Sequence, residues 1–122
     1  KKFLLNLKTY KIDLILLAGY MKILSKKFIR SFGKPIINIH PSLLPKFKGL
    51  NTFEKVLKMK ERKTGCTVHF VNERLDSGKI ILKKFFYITK EDNIASLKKK
   101  TQNLEYNAFS EAIIKVARQS IY

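Results

Sequence analysis

The chain has 122 residues, of which 26 are Lys or Arg and nine are Asp or Glu, so its formal net charge is +17. This length suits one domain, and a hydrophobic fraction of 45% excludes a disordered basic tail. The longest apolar run, residues 14–19, is far shorter than the roughly eighteen residues of a membrane span, and the N-terminus has no signal-peptide layout. One cysteine and two histidines exclude an intramolecular disulfide and disfavour a metal site. We expect a single cytoplasmic domain over residues 1–122, without a membrane or a metal.

Lysine supplies nearly all of the positive charge. Arginine occurs only at Arg30, Arg62, Arg74 and Arg118. Nucleic-acid-binding proteins usually rely on arginine for bidentate contacts with bases and phosphates. The lysines are scattered over predicted solvent faces, which favours a compositional bias over a nucleic-acid patch. We expect no nucleic-acid partner, although a basic nucleic-acid-binding module remains the non-enzymatic alternative. A positive field would also attract phosphorylated small substrates.

The first predicted unit is a strand, a helix and a second strand. Residues 1–11 resemble the end of a helix, and the apolar residues 14–18, closed by Gly19, predict a strand buried on both faces. Ser25 is expected to cap a helix that ends at Gly33. The apolar run 36–40, cut by Pro41, predicts the second strand. This spacing is typical of a parallel βαβ crossover.

The middle of the chain predicts another helix and an antiparallel pair of strands. A helix from Asn51 or Thr52 to about Lys63 has Glu54 at the capping-box position. Residues 66–71 and 80–88 predict strands, and the short turn 72–79 between them favours antiparallel pairing.

The last element is a long helix capped by Asp92 or Asn93. Its predicted inward stripe consists of Ile94, Leu97, Thr101, Leu104, Ala108, Ala112 and Val116. Together the elements predict an α/β fold with a mostly parallel sheet and an antiparallel edge.

Asn38 and His40 are the first candidates for chemistry. They lie two residues apart near the carboxyl end of a predicted parallel strand, so both side chains project from one face of the sheet. An amide and an imidazole placed there can stabilise an oxyanion and transfer a proton. The alternative is structural, with Asn38 ending the strand and His40 bound to a nearby carbonyl. Spacing alone leaves both interpretations open.

The sequence motif around Asn38 and His40 favours the functional interpretation. Residues 38–45 read Asn-Ile-His-Pro-Ser-Leu-Leu-Pro and are followed by Phe47-Lys48-Gly49; residues 18–24, 65–71 and 75–78 continue the match. This pattern resembles phosphoribosylglycinamide formyltransferases over nearly the whole chain. The resemblance implies a Rossmann-like formyltransferase fold, and an enzyme that moves a formyl group from 10-formyltetrahydrofolate to the amine of glycinamide ribonucleotide. No metal is implied.

By the same resemblance, Asn38, His40 and Asp76 form the catalytic trio. Asn38 and His40 would stabilise the oxyanion, each donor contributing roughly 3–4 kcal/mol. His40 would also pass a proton to the departing folate nitrogen, and the Asp76 carboxylate would favour the protonated ring. The alternative for Asp76 is a turn residue before Ser77 and Gly78.

The resemblance also assigns binding residues. The folate contacts are Met21, Lys22, Ile23, Leu24, Asn38, Asn72, Glu73, Arg74, Leu75 and Asp76. The ribonucleotide contacts are Pro41, Gln102, Asn103, Leu104 and Glu105. Core packing is the alternative for Met21, Ile23 and Leu24, and an ion pair with a lysine is the alternative for Glu105. Lys22 stands where the family often has arginine, so it would act as a point charge.

His69 and Cys66 are predicted to be structural. Alternation places them on opposite faces of one strand, where a lone histidine usually satisfies a local hydrogen bond and a cysteine packs as a small apolar side chain.

The family's first strands and its Gly-rich phosphate loop have no counterpart in this sequence. We therefore expect the C-terminal part of a catalytic domain, with the N-terminal strands missing and an exposed sheet edge that favours a homodimer. Formyltetrahydrofolate deformylase is the nearest alternative, followed by methionyl-tRNA formyltransferase, for which a charge of +17 would suit tRNA.

Overall fold

The computed structural model describes residues 14–18, 24–74 and 77–119. Along these segments the elements are β1 (Ile15–Ala18), α1 (Lys26–Phe32), β2 (Ile36–His40), α2 (Thr52–Lys58), β3 (Lys63–Phe70), β4 (Ile80–Tyr87) and α3 (Ile94–Gln119). The predicted helix end at residues 1–11 and the glycine predicted to close the first strand lie outside the described residues.

The strands form one sheet in the order β1-β2-β3-β4. β1 pairs with β2 in parallel, which confirms the predicted crossover through α1, and β3 pairs with β4 as the predicted antiparallel hairpin. The α/β class is thereby confirmed.

The pairing of β2 with β3 is antiparallel, so one of the three described pairings is parallel and that part of the sheet is less parallel than predicted. The cause lies in the connection between the two strands. α2 packs beside α3 instead of crossing the sheet, so the chain re-enters the sheet at the end where β2 leaves it.

One face of the sheet is covered by α3 and forms the hydrophobic core. Buried Ile37, Ile39 and Val68 pack with buried Ala108 and Ala112 of the helix. Because side chains alternate along a strand, Asn38, His40, Thr67 and His69 project from the opposite face. The core therefore fixes one side of β2 and β3 and leaves their polar side chains together on the other.

Cys66 belongs to the core face and is fully buried, as predicted. Burial, with a smaller contribution from the negative charge of Glu105, raises the pKa of its thiol to about 12. The side chain therefore behaves as a small apolar group.

The caps of α1 follow the sequence. The Ser25 hydroxyl accepts a hydrogen bond from the Phe28 amide at 3.0 Å. At the other end Gly33 adopts the left-handed conformation, with φ of 67°, and its amide donates to the carbonyl of Ile29. Both predictions are confirmed.

The predicted capping box of α2 is wrong. Asn51 is itself left-handed, with φ of 59°, and its side chain makes no capping hydrogen bond. The helix also ends at Lys58 instead of continuing to Lys63, and a second left-handed residue, Lys60, turns the chain towards β3. The left-handed Lys60 therefore accounts for the early end of this helix, and the left-handed Asn51 accounts for the missing capping box.

The α3 helix begins with a reciprocal cap. The Asn93 side chain accepts from the Ser96 amide at 2.8 Å, and the Ser96 hydroxyl accepts from the Asn93 amide at 2.9 Å. Five members of the predicted stripe are buried, namely Leu97, Thr101, Ala108, Ala112 and Val116, and Leu104 is partly buried. Ile94 was wrongly included: it is 45% exposed, because α3 becomes buried only from Leu97 onward. None of the helices in the described segments is long and apolar enough to cross a membrane.

Candidate active site

The polar face of the sheet brings together four side chains from two neighbouring strands. Antiparallel register places Asn38 opposite His69 and His40 opposite Thr67. All four residues are buried. Directly opposed residues on paired strands have their side chains in contact range, so these form one polar cluster.

His69 orients the amide of Asn38. The Nδ1 atom of His69 lies 2.9 Å from the carbonyl oxygen of Phe70, and a carbonyl only accepts, so Nδ1 carries the hydrogen. In the neutral ring Nε2 is then an acceptor. It lies 3.5 Å from the Asn38 side-chain nitrogen, which therefore donates to it. This bond uses one of the two amide hydrogens and sets which way the amide faces.

The other end of the Asn38 amide is unusual. Its oxygen, Oδ1, is buried and has no hydrogen-bond partner among the described residues. An unsatisfied buried acceptor costs about 1–3 kcal/mol, and a bound ligand that donates a hydrogen bond to it would remove this cost. Asn38 thus presents an unpaired polar atom and an oriented amide at the rim of the sheet.

His40 is held by the loop that follows its strand, residues 41–51, here called the β2–α2 loop. The Nε2 atom lies 2.7 Å from the carbonyl oxygen of Phe47 and must carry the hydrogen that is donated. The ring is thereby fixed in one orientation, and proton exchange is directed to Nδ1.

The loop that holds His40 is itself tied to β3. The Thr67 hydroxyl donates to the Ser42 carbonyl at 2.7 Å and accepts from the Leu44 amide at 3.0 Å. The Ser42 hydroxyl donates to the Lys46 carbonyl at 2.6 Å and lies 3.3 Å from the Phe47 carbonyl. A chain of buried hydrogen bonds therefore connects β3, through the loop, to the imidazole.

The third predicted catalytic residue, Asp76, lies outside the described residues. So do the predicted folate contacts Met21, Lys22, Ile23 and Leu75. Leu24 is described and half-buried before α1.

The predicted folate contacts Asn72, Glu73 and Arg74 form an exposed turn after β3. The Asn72 side chain accepts from the Arg74 amide at 2.8 Å. Glu73 lies 3.8 Å from the guanidinium of Arg30, so an exposed ion pair links this turn to α1.

The predicted ribonucleotide segment, residues 102–105, lies on α3. This helix covers the face of the sheet opposite Asn38 and His40, and no contact between the segment and these two residues is present in the described part of the chain. Gln102 and Asn103 are exposed, and Leu104 packs against the core. Pro41, the remaining predicted contact, is half-buried directly after His40.

Glu105 lies in an unusual environment for a carboxylate. It is half-buried, burial raises the pKa of its carboxyl, and it forms no ion pair with a lysine or arginine of the described segments. A half-buried carboxylate without a cation is costly, and a cationic or hydroxyl-bearing ligand would relieve that cost.

The contact of His69 with Asn38 was not predicted from the sequence, which indicated a structural role for His69. Alternation had placed His69 and Thr67 on one strand face, but their importance depends on β3 lying antiparallel beside β2. The available signal was the pair of polar residues at alternate positions in an otherwise apolar strand. Within the described ranges, no group of three His, Cys, Asp or Glu residues could hold a metal ion.

Comparison with known proteins identifies the family to which the chain belongs. A family model for formyl transferase matches residues 1–113. The chain is 47% identical over 103 residues to the phosphoribosylglycinamide formyltransferase of Haemophilus influenzae, covering 84% of this chain and 49% of that protein. It is 41% identical over 117 residues to the human trifunctional purine biosynthetic protein adenosine-3, covering 96% of this chain and 12% of that protein. The chain thus spans about half or less of these curated relatives.

Solved structures of proteins with the same name have a similar fold. The crystal structure of phosphoribosylglycinamide formyltransferase from Bacillus halodurans superposes with a TM-score of 0.90 at 34% identity, covering 98% of this chain and 61% of that one. The corresponding protein from Anaplasma phagocytophilum gives a TM-score of 0.89 at 38% identity, covering 98% and 58%.

Proposed function

Because the chain belongs to the formyl transferase family, we propose that its protein transfers a formyl group from 10-formyltetrahydrofolate to the amine of glycinamide ribonucleotide, in purine biosynthesis. The relatives at 47% and 41% identity carry names that support this substrate and pathway. The structural observation that carries the proposal is the oriented Asn38 amide beside the loop-held His40, at the rim of the sheet.

The residues present fit the two substrates. Formyl transfer needs donors where an oxyanion develops, and a group that accepts and returns a proton. 10-Formyltetrahydrofolate would supply the formyl carbon, which forms a bond to the substrate amine as its bond to the folate nitrogen breaks. The buried, unpartnered Oδ1 of Asn38 is consistent with a position that a substrate completes.

Asn38 and His40 have different roles in this proposal. The amide hydrogen of Asn38 that does not point at His69 donates to the oxyanion. His40, with Nε2 held by Phe47, exchanges the proton at Nδ1. Asp76 is proposed, from the family motif, to stabilise the protonated ring from the turn after β3.

The remaining assignments belong to the same proposal. The folate contacts are residues 21–24 and 72–76 together with Asn38. The ribonucleotide contacts are Pro41 and residues 102–105, and Glu105 is supported by its half-buried carboxyl. A cytoplasmic homodimer is part of the same proposal.

The reaction can be tested with the full-length protein that carries this chain. Purified enzyme is given 10-formyltetrahydrofolate with and without glycinamide ribonucleotide, and tetrahydrofolate is measured by absorbance. We expect product only when the amine is present. Equal product without the amine would instead identify a deformylase, and formylation of methionyl-tRNA in place of the ribonucleotide would identify the tRNA enzyme.

The role of Asn38 is tested by Asn38→Asp, which keeps the size of the side chain and removes its donor. We expect kcat to fall by about 10²–10³-fold, the usual loss when one oxyanion donor is removed. Asn107→Asp, an exposed change of the same kind on α3, is the control and should keep full activity. An Asn38→Asp enzyme with normal kcat would remove this residue from the mechanism.

A further inference from the structure

A second concave site lies on the polar face of the sheet, on the outer side of the β2–α2 loop. It is a cavity of about 540 Å³, within the size range of small-molecule pockets. Its lining residues are Leu43, Leu44, Pro45, Lys46, Phe47, Glu61, Arg62, Lys63, Thr64 and Lys83. Neither Asn38 nor His40 belongs to this lining. We call it the loop-side cavity.

The strand register explains why two of its lysines meet there. Lys83 of β4 pairs with Thr67 of β3, and Lys63 pairs with Tyr87. Directly opposed residues share a sheet face, and so do residues two or four apart along one strand. Lys63 and Lys83 therefore project from the face that carries Thr67. The Lys63 ammonium lies 4.5 Å from the centre of the Phe85 ring on that same face.

The cavity has an excess of positive charge. Its one acidic residue, Glu61, is engaged by the Lys46 ammonium at 2.7 Å. Arg62, Lys63 and Lys83 have no acidic partner in the segments that the structure describes. Like charges that converge on one cavity repel one another, so an anion that enters it relieves the repulsion.

The opposite wall of the cavity is apolar. Leu43, Leu44 and Pro45 come from the β2–α2 loop, which the hydrogen bonds of Thr67 hold in place. The lining thus combines apolar side chains of a held loop with Arg62, Lys63 and Lys83, and this combination suits a ligand with both an apolar body and negative charge.

We propose that the loop-side cavity binds a small organic anion with an apolar body and at least two negative charges, from phosphate or carboxylate groups. The planar fork of Arg62 suits either group, and Lys63 and Lys83 add point charges. The Phe47 that lines the cavity is also the residue whose carbonyl holds His40. A bound anion would therefore lie beside the contact that orients the imidazole.

The test measures binding by isothermal titration calorimetry on the full-length protein that carries this chain. The probes are adenosine 5′-monophosphate, benzene-1,3,5-tricarboxylate and inorganic phosphate. The double variant Arg62→Gln with Lys83→Gln removes two cavity charges. Lys98→Gln with Lys99→Gln removes two exposed charges from α3 and is the matched control.

We expect at least one organic probe to bind, and the cavity variant to weaken that binding tenfold or more while the control keeps it. Binding of the nucleotide alone identifies phosphate as the preferred group, and binding of the tricarboxylate alone identifies carboxylate. Retention of this binding in the Asn38→Asp protein separates the cavity from the proposed formyl-transfer site.

Three outcomes would overturn the proposal. The first is no binding of either organic probe at about 1 mM. The second is equal weakening in the two double variants, which would show only general attraction to a basic surface. The third is inorganic phosphate binding as tightly as the nucleotide, which would leave the apolar wall without a role.

Discussion

The Asn38 amide is oriented from the neighbouring strand. Its side-chain nitrogen donates to His69, whose tautomer is set in turn by the carbonyl of Phe70. An amide free to rotate would present its oxygen and its nitrogen to a developing oxyanion with similar ease, and only the nitrogen stabilises negative charge. His69 is therefore a positioning residue for Asn38.

The first prediction follows from this contact. His69→Leu removes the acceptor and should lower kcat by about tenfold, which corresponds to about 1.4 kcal/mol, the size of one neutral hydrogen bond. KM should change little, because in this proposal His69 acts through Asn38 and not on the substrates. Steady-state kinetics on the full-length enzyme provides both constants.

Two further variants separate positioning from simple packing. His69→Gln keeps a side-chain acceptor and should recover much of the lost kcat. In the Asn38→Asp background, His69→Leu should add almost nothing, because the amide that it orients is gone. Fully additive losses would show that His69 acts independently of Asn38.

Two buried threonines give a matched pair for the second prediction. Thr67 satisfies two backbone groups of the β2–α2 loop, whereas the Thr101 hydroxyl of α3 is buried without a partner among the described residues. Thr67→Val should lower the free energy of unfolding by about 2–3 kcal/mol, because two buried backbone groups lose their partner. Thr101→Val should be neutral or stabilising by about 1 kcal/mol, because it removes an unpaired polar atom.

Urea unfolding followed by circular dichroism measures both effects. The two substitutions are the same in chemistry and in burial, and valine suits the strand of Thr67 better than the helix of Thr101, so a larger loss at Thr67 reflects its hydrogen bonds. Equal losses of stability in the two variants would contradict the importance assigned to the Thr67 contacts.

At the scale of elements, the start of α3 depends on one carboxylate. The Asp92 side chain is only 3% exposed and accepts from the Lys100 ammonium at 2.8 Å and from the Thr89 amide at 2.9 Å. It also accepts from the Ser96 hydroxyl at 2.7 Å. The Lys100 contact, followed by the Thr89 bond, holds the pKa of Asp92 well below its usual value of 3.8.

The third prediction concerns Asp92→Asn. A carboxyl whose pKa is lower in the folded state adds stability above its unfolded pKa, and this stability is lost as the pH falls through the folded value. We expect the variant to lose about 1–2 kcal/mol at pH 7, because the ion pair with Lys100 is lost and the hydrogen bonds from Thr89 and Ser96 are weakened. The difference from the parent should shrink steadily below about pH 4.

Thermal unfolding at a series of pH values measures this difference. Glu91→Gln changes the neighbouring, exposed carboxylate in the same way and should leave stability unchanged. A gap between Asp92→Asn and the parent that stays constant from pH 7 to about pH 3 would contradict the linkage.

The helices differ in how well their ends can be predicted from the local sequence. The Ser25 hydroxyl caps the start of α1, and Gly33 ends the helix in a left-handed conformation that glycine adopts at little cost, so both ends were predictable. The end of α2 was predicted too far along the chain because Lys60 adopts a left-handed conformation, which a lysine does not normally favour. Local patterns therefore predict an element well where a side chain fixes its end.

The site shows the same division. Two residues on one strand, Asn38 and His40, were predictable because a period of two decides their shared face. The partners His69 and Phe47 were not, because they arrive through an antiparallel pairing and a folded loop that depend on tertiary packing. The family resemblance implied roles for Asn38 and His40, but it did not reveal the hydrogen bonds that orient their side chains.

The charge of the chain is a property of the whole molecule. Its 26 basic residues outnumber nine acidic residues, so most lysines have no acidic partner available, and Lys98 and Lys99 are exposed side by side on α3. Self-repulsion of a strongly charged surface destabilises the compact state, and salt weakens that repulsion.

The fourth prediction is that sodium chloride raises the midpoint of thermal unfolding. The screening length falls from about 10 Å at 0.1 M to about 3 Å at 1 M, so repulsion between neighbouring surface lysines is largely removed over this range. Lys98→Glu with Lys99→Glu lowers the net charge by four and should make the unfolding midpoint depend less on salt. Lys98→Arg with Lys99→Arg preserves the charge and should preserve this dependence.

Differential scanning calorimetry of the three proteins measures the slope of the unfolding midpoint against salt concentration. A parent midpoint that falls with salt, or equal slopes in the two variants, would show that exposed ion pairs such as Lys84 with Glu111 outweigh the repulsion.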